Sequence, residues 1–448
     1  MSTFAPPQTQ LVASAVRKVS RRLIPLLCLM FFFAMLDRVN ISFAGAQMRE
    51  DLSLTATAFG NGAGLFFLGY FFFEVPSNLY LQKIGARKTL ARVMIFFGAV
   101  TIAFAFVQDE FWFFALRFLL GVAEAGFLPG VIFYLTKWAP VQARAKLFGT
   151  FVIAIPVSTA LGAPICTAIL KTMQGVLGLA GWEWIFILCA VPTILLGILV
   201  LFVLPENPMS AKFLTQDERL ALTAAVEQDD VARSRHLPAG WFKAVANFRI
   251  MRVLIVYTGI VFGIYGTGFW LPQIFGQLGL DATAISYAVA VPYLLAAALM
   301  VLWASHSDRK KERMWHLATP AWISAAGFFT AFLMAGSPLM VVLALGTSVI
   351  GIFCALPIYW TFPSMFFTGA TGAFGIAAIN SLGNLAGYVA PTIMGAVYDA
   401  TKSFAIGFTI VGAVMVITGV MAFFMKKDFA IEKARAAGND EPALEPTH

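Results

Sequence analysis

The sequence predicts an all-α polytopic membrane protein of twelve transmembrane helices, built as two pseudo-symmetric six-helix bundles with both termini cytoplasmic. Three observations predict it. The 448 residues are 60% hydrophobic and only 12% charged, where a soluble domain carries roughly 25% charged residues. About twelve apolar runs reach the ~20 residues that cross about 30 Å of hydrocarbon. They divide six and six around one long polar stretch. The runs are continuous, without the alternating ten-residue segments of membrane strands, so helices rather than a barrel satisfy the backbone.

The formal charge of +8 does not mark a nucleic-acid binder, because of where the basic residues fall. Arg38 and Arg117 lie inside spans, and Arg49, Lys171 and Lys402 lie on one side of the membrane. The others collect in the termini and in alternate loops. Positive residues stay on the cytoplasmic side of short loops, so both termini face the cytoplasm, the span number is even, and a multi-pass protein of the inner (cytoplasmic) membrane is expected. Arg17, Lys18, Arg21 and Arg22 precede an apolar stretch that is too long for a signal peptide and contains a charged pair. It reads as an uncleaved first span. Cys28, Cys166, Cys189 and Cys354 show no paired spacing, so neither a disulfide framework nor a metal site is indicated.

A cytoplasmic segment, residues 1–22, precedes an N-terminal bundle over 23–204. Its spans run Leu23 to Gln47, Thr57 to Gln82, Thr89 to Val107, Phe111 to Lys137, Lys146 to Leu170 and Trp182 to Leu204. A cytoplasmic loop, 205–250, opens with Pro205-Glu206-Asn207-Pro208, which stops a helix. Thr215-Gln216-Asp217-Glu218 then forms a capping-box pattern that predicts a short amphipathic helix. Asp229 to Gly240 is polar, and Trp241-Phe242-Lys243 reads as an interfacial approach to the next span. The C-terminal bundle covers 251–427. Its spans run Val253 to Leu278, Ala282 to Ser305, Trp315 to Ala335, Leu339 to Trp360, Ala373 to Ala400 and Phe404 to Met425. The tail, 428–448, is polar and expected to be disordered.

The halves repeat. Asn78-x-x-x-Gln82-Lys83-x-Gly85-x-Arg87-Lys88 follows the second span, and Ala304-x-x-x-Asp308-Arg309-Lys310 follows the eighth. In this element the chain resembles the major facilitator superfamily, whose signature there is Gly-x-x-x-Asp-Arg/Lys-x-Gly-x-Arg/Lys-Arg/Lys. Asn78 and Gln82 depart from the signature, while Asp308 and Arg309 keep it. The resemblance implies a rocker-switch transporter with its site near midplane between the bundles, and a gate formed by Gln82, Lys83, Gly85, Arg87, Lys88, Asp308 and Arg309.

Five ionisable residues fall within the spans: Asp37, Arg38, Glu74, Arg117 and Glu124. Each costs about 2.5–3.5 kcal/mol at a helix centre on insertion scales, so each should face a cavity or a partner. Three carboxylates against two guanidiniums leave one negative charge in excess, which an incoming anion would worsen and protonation would relieve. Asp37 and Glu124 are therefore expected as proton sites that pair with Arg38 and Arg117 until a substrate carboxylate takes an arginine fork. Ion pairs that merely lock helices are the alternative. Arg117, Gly121 and Glu124 share one face of the fourth span, and Gly126 and Gly130 are expected to continue that helix as a packing surface. Glu74 shares a face with Tyr70, as a coupling acid or simply a hydrogen-bonded one. Asn380, Asn384 and Tyr388 form a stripe on the eleventh span, for substrate contact or helix pairing. Tyr265, Trp270, Tyr293, Tyr359 and Trp360, near Pro272, Pro292 and Pro357, would form the opposite wall or plain core. His236, His306, His316 and His448 do not read as proton carriers. No nucleophile triad is visible, so an enzyme is not expected.

Leu36-Asp37-Arg38-Val39-Asn40-Ile41, Glu74-Val75-Pro76-Ser77-Asn78, the segment Gly121 to Gly130 and Asn380-Ser381-Leu382-Gly383-Asn384 together resemble the anion:cation symporter family, over about Leu23 to Lys427. That family includes bacterial permeases for tartrate, sugar acids, phthalate and 4-hydroxyphenylacetate. The resemblance implies Asp37 and Glu124 as proton sites and Arg38, Tyr70 and Asn384 as substrate contacts. Gly268-Phe269-Trp270-Leu271-Pro272-Gln273 and the region Lys171 to Trp184 are most similar to the tartrate and 4-hydroxyphenylacetate branch. The expected partners are a small organic anion, protons and the bilayer. No cofactor and a monomer are expected. A proton-coupled exporter and a non-transporting sensor are the other readings. Against the exporter stand the two buried arginines and Leu161-Gly162-Ala163-Pro164 in place of an antiporter Gly-Pro element.

Overall fold

A computed structural model describes residues 6–140, 143, 147, 151–234, 248–363 and 378–425. The expectations for Trp241-Phe242-Lys243, for residues 235–240 of the stretch Asp229 to Gly240, for the start of the eleventh span and for the tail fall on residues outside this set.

A helix not expected from the sequence, α1 (Pro6–Arg22), precedes the first span, α2 (Ile24–Asp51). The N-terminal bundle continues with α3 (Ala56–Ile84), α4 (Ala86–Ala103), α5 (Glu110–Glu124), α6 (Phe127–Thr136), α7 (Ala154–Thr172) and α8 (Gly181–Val203). The linker helix α9 (Gln216–Ser234) follows. The C-terminal bundle contains α10 (Phe248–Gly268), α11 (Leu271–Gln277), α12 (Ala282–Lys310), α13 (Met314–Leu333), α14 (Pro338–Tyr359), α15 (Ala386–Thr401) and α16 (Ala405–Phe424). Among the described residues ten helices are long and apolar enough to cross a membrane. The other two spans are α13 and the eleventh, where residues 378–384 lead through a turn at Leu385 into α15. Twelve spans in two bundles result, with α3 and α15 packed along the seam between them.

The spans start and stop where backbone chemistry dictates. The Thr55 side chain accepts from Ala58 N at the start of α3, and Asp109 accepts from Trp112 N at the start of α5, each satisfying an orphan donor. Gly85, with φ 85°, ends α3, a left-handed turn that glycine adopts without penalty. Besides the turn at Leu385, two spans are broken rather than continuous among the described residues. The seventh turns at Phe269 and Trp270 into the short α11, whose first turn holds Pro272. The fourth breaks directly after Glu124: Gly126 has φ 103° and α6 starts at Phe127. This corrects the expectation that Gly126 continues the helix. The reason is local, since Gly126 sits in a left-handed conformation against the Ser77 side chain, where a Cβ would collide.

The capping box of α9 forms as expected, with Glu218 Oε2 accepting from Thr215 N at 2.9 Å. The same carboxylate also binds α1, accepting from Ser14 Oγ and pairing with Lys18 Nζ, both at 2.8 Å. These contacts hold the Glu218 carboxyl down at a pKa of about 2, against its partial loss of water. Leu11, Ala15 and Val19 at i, i+4 and i+8 carry the helical spacing that the polar composition of α1 hides, and Ala15 and Val19 are fully buried.

The outer ends of the two bundles meet. Asp399 at the end of α15 accepts from Ala56 N (3.1 Å), Thr57 N (2.7 Å) and Thr57 Oγ1 (2.6 Å), capping α3 across the seam. Lys171 Nζ donates to Thr283 Oγ1. Along the same crossing Gly60 faces the Pro391 carbonyl so closely that a Cβ has no room.

Candidate functional site

Four of the five intramembrane ionisable groups are buried, Asp37, Glu74, Arg117 and Glu124 being 1–3% exposed, and the Arg38 side chain is 17% exposed. Four of them gather at the middle of α2 and the inner half of α5. Arg38 Nη2 pairs with Glu124 Oε1 at 2.7 Å, and Arg38 Nη1 donates to the hydroxyl of Tyr265 on α10, in the opposite bundle. The guanidinium lies over the Phe66 ring at 4.9 Å and near Phe67 at 5.7 Å, a cation–π setting that steadies the charge out of water. Glu124 ends α5 at the helix break, so its carboxylate projects from a terminus rather than from mid-helix. Its second oxygen, Oε2, meets no donor among the described residues.

Asp37 points away from this pair and accepts from Thr101 Oγ1 on α4 at 3.0 Å. Arg117 does not bond Glu124. Its Nε and Nη2 donate to the carbonyls of Gly62 (3.3 Å) and Ala63 (2.8 Å) on α3. The physical reason is distance along the helix. Seven residues place Arg117 about 10 Å further out than Glu124, level with a stretch of α3 where small side chains leave carbonyls accessible. Arg117 therefore packs α5 onto α3, with only electrostatic reach to the acids.

Glu74 stands apart from the arginines. It accepts from Ser381 Oγ of the eleventh span, so an acid of one bundle is bonded to a hydroxyl of the other. Beside it Tyr257 OH donates to Asn380 Oδ1 at 2.9 Å, and Tyr257 stacks on Tyr359 and meets Trp360 edge-on. Tyr70 is buried next to Phe66, between these two groups. Asn384 closes residues 378–384 near Tyr257, but the turn at Leu385 interrupts the expected stripe, and Tyr388 packs against Gly64 on the outer seam.

The gate element is split. Arg87 Nε lies 3.4 Å from Glu206 Oε2, and the Glu206 carboxylate also lies over Gly85, so the α3–α4 turn, which carries Gln82, Lys83 and Lys88, is tied to the linker. Asp308 pairs with Arg313 at 2.5 Å, with Arg309 in the last turn of α12. Sequence reasoning missed Thr101, Tyr257, Ser381 and Glu206. Thr101 and Tyr257 are single polar side chains in apolar runs, and Ser381 shows only as part of the Asn380 to Asn384 segment.

A cavity of about 60 Å³ lies between the bundles, lined by Arg38, Ser42, Ser158, Thr159, Tyr265 and Tyr293 among apolar side chains. Among the described residues no group of histidine, cysteine or carboxylate side chains is placed to hold a metal ion.

Two bundles of membrane helices around a buried, hydroxyl-rimmed acid–base centre define a polytopic membrane transporter. The chain belongs to the Major Facilitator Superfamily, whose family model matches residues 27–391. A "putative tartrate transporter" of Agrobacterium vitis is 45% identical over 93% of this chain and 92% of its own length. A quinolone resistance transporter of Acinetobacter baumannii is 34% identical over 95% of this chain and 98% of its own. In fold, the partially occluded inward-open xylose transporter XylE of E. coli superposes with a TM-score of 0.74, covering 92% of this chain and 98% of that one at 17% identity.

Proposed function

We propose that this protein takes up a small organic anion, a hydroxycarboxylate of the tartrate or sugar-acid class, together with protons across the bacterial inner membrane by alternating access. The observation that carries the reading is the Arg38–Glu124 ion pair, 2.7 Å long, with Tyr265 of the opposite bundle on the same guanidinium. While Glu124 is ionised it occupies one edge of the arginine fork. Protonating it weakens the pair and frees Arg38 to bind a substrate carboxylate bidentately. The substrate's other oxygens then meet the hydroxyls of Ser158, Thr159 and Tyr293 around the cavity. Asp37, held by Thr101, is the second proton site, and its charge state sets the field on Arg117 and Arg38. Tyr70 and Asn384 complete the substrate contacts, and the proton gradient is the driving force without any cofactor. One chain suffices for this cycle, so a monomer is the working unit. The similarity to the "putative tartrate transporter" of A. vitis supports the substrate class.

The second reading is export, favoured by the similarity to a quinolone resistance transporter. Proteoliposomes separate the two. Under symport, a proton gradient directed inward drives labelled L-tartrate into the vesicles above its level without a gradient. Under export by antiport, the same gradient drives it out. Uptake indifferent to the gradient contradicts coupling altogether.

A further inference from the structure

Arg49 lies eleven residues after Arg38 on α2. At 3.6 residues per turn and 1.5 Å per residue, the two positions share a face within about 20° and stand about 16 Å apart. Ser42 and Gly45 fall on the same stripe. Each member of the stripe meets α10 or α11 of the opposite bundle. Arg38 meets Tyr265, Ser42 Oγ donates to the Gly268 carbonyl at 2.8 Å, and Arg49 Nη1 donates to Gln273 Oε1 at 2.9 Å. At Gly45 an added Cβ would stand 2.7 Å from Gln273 Nε2.

At the outer end of this stripe a second cavity, of about 470 Å³, opens at the seam, lined by Arg49, Glu50, Pro272, Gln273, Gln277 and Ile285. That volume lies in the range of small-molecule sites, about 300–1,000 Å³. Two of its lining residues keep a buried donor without an acceptor, and the Arg49 guanidinium lies over the Trp270 and Tyr398 rings at 5.9 and 5.6 Å. Among the described residues Arg49 Nε and Gln273 Nε2 have no partner, although Gln273 is only 7% exposed, and the neighbouring Trp270 Nε1 has none either. Buried donors left unmet are costly. None of the nearby acids bonds Arg49. Asp399 caps α3 and reaches Arg49 only electrostatically, Asp51 accepts from Trp182 Nε1 at 2.6 Å, and Glu50 is exposed at the rim.

The geometry points to an outer carboxylate site at Arg49 and Gln273, where the anion is held before the bundles part and it moves along the Ser42 face to Arg38. This site rests on the uptake reading above. Arg49 raises the local anion concentration at the outer mouth by electrostatic attraction, which salt screens. Glu50 opposes it.

The test measures L-tartrate uptake and efflux kinetics separately in proteoliposomes of uniform orientation. Arg49→Gln should raise the outside KM about tenfold at low ionic strength, with the difference shrinking in high salt, while the inside KM for efflux stays at its wild-type value. Glu50→Gln should lower the outside KM. Efflux in the same vesicles shows that each variant is folded. A wild-type outside KM in Arg49→Gln overturns the site, as do equal changes in both directions, which would make Arg49 only a latch to Gln273. If wild-type protein shows no gradient-driven tartrate uptake, the uptake reading fails first and takes this site with it. The two failures are thereby distinct.

Discussion

Arg38 and Glu124 form a 2.7 Å ion pair whose acid ends a broken helix and whose base is held at its other edge by Tyr265 from the opposite bundle. One guanidinium thus joins an acid, a bundle-to-bundle contact and the central cavity. Under the proposed symport, loading Glu124 with a proton changes all three at once. The proposal makes this group the bistable element of coupled transport.

Glu124→Gln removes the exchangeable proton while keeping the shape. Gradient-driven accumulation of L-tartrate should disappear, while exchange of internal for external tartrate persists. Asp37→Asn should do the same. Measured side by side, full accumulation in either variant removes that residue from the coupling set.

Arg38→Lys keeps the charge but loses the planar fork, and a lysine cannot hold Tyr265, Glu124 and a carboxylate in the same geometry. Loss of one charge-assisted bond is worth about 1.5–3 kcal/mol, so kcat/KM for uptake should fall roughly 10- to 100-fold. A change under threefold would place the carboxylate elsewhere.

Asp399→Ala strips the cap that α15 lends to α3 at the outer seam. A lost cap costs about 1 kcal/mol, so the outward-open population should rise roughly fivefold. Distance distributions between spin labels placed across the seam read this directly, and an unchanged distribution contradicts the role of Asp399 as a clasp.

Glu218 supplies a pH-dependence whose sign is fixed by its lowered pKa of about 2. A depressed carboxyl stabilises the fold at pH above its ordinary value, about 4.3, and that support is lost as pH falls towards 2. The α1–α9 clasp should accordingly protect α1 amides from hydrogen exchange equally from about pH 5 to 8. Glu218→Gln should raise exchange in α1 throughout that window. Protection in wild type that collapses near neutral pH would show that another group holds α1.

The architecture is legible in the sequence because each span is a long apolar run whose ends carry polar or helix-stopping residues. The break after Glu124 is not, since Gly126 sits among apolar neighbours and its left-handed turn against Ser77 shows only in the fold. Asp37, Arg38, Glu74, Arg117 and Glu124 stand out as charges in hydrocarbon, but their partners do not. The acceptors for Arg117 are backbone carbonyls of Gly62 and Ala63, which have no signature in side-chain chemistry. Tyr265 shows in the sequence only as an aromatic, because its bond to Arg38 depends on how two bundles more than two hundred residues apart dock. The helix α1 escapes notice for a similar reason, as its apolar edge, Ala15 and Val19, shares a core cluster with Leu222 and Val226 of α9.

The most direct test of proton–anion symport is the external pH of a weakly buffered proteoliposome suspension as L-tartrate is added with no gradient imposed. Symport predicts alkalinisation outside that begins with tartrate entry and is abolished by Glu124→Gln. Entry of tartrate with no change in external pH, or with acidification, would contradict it.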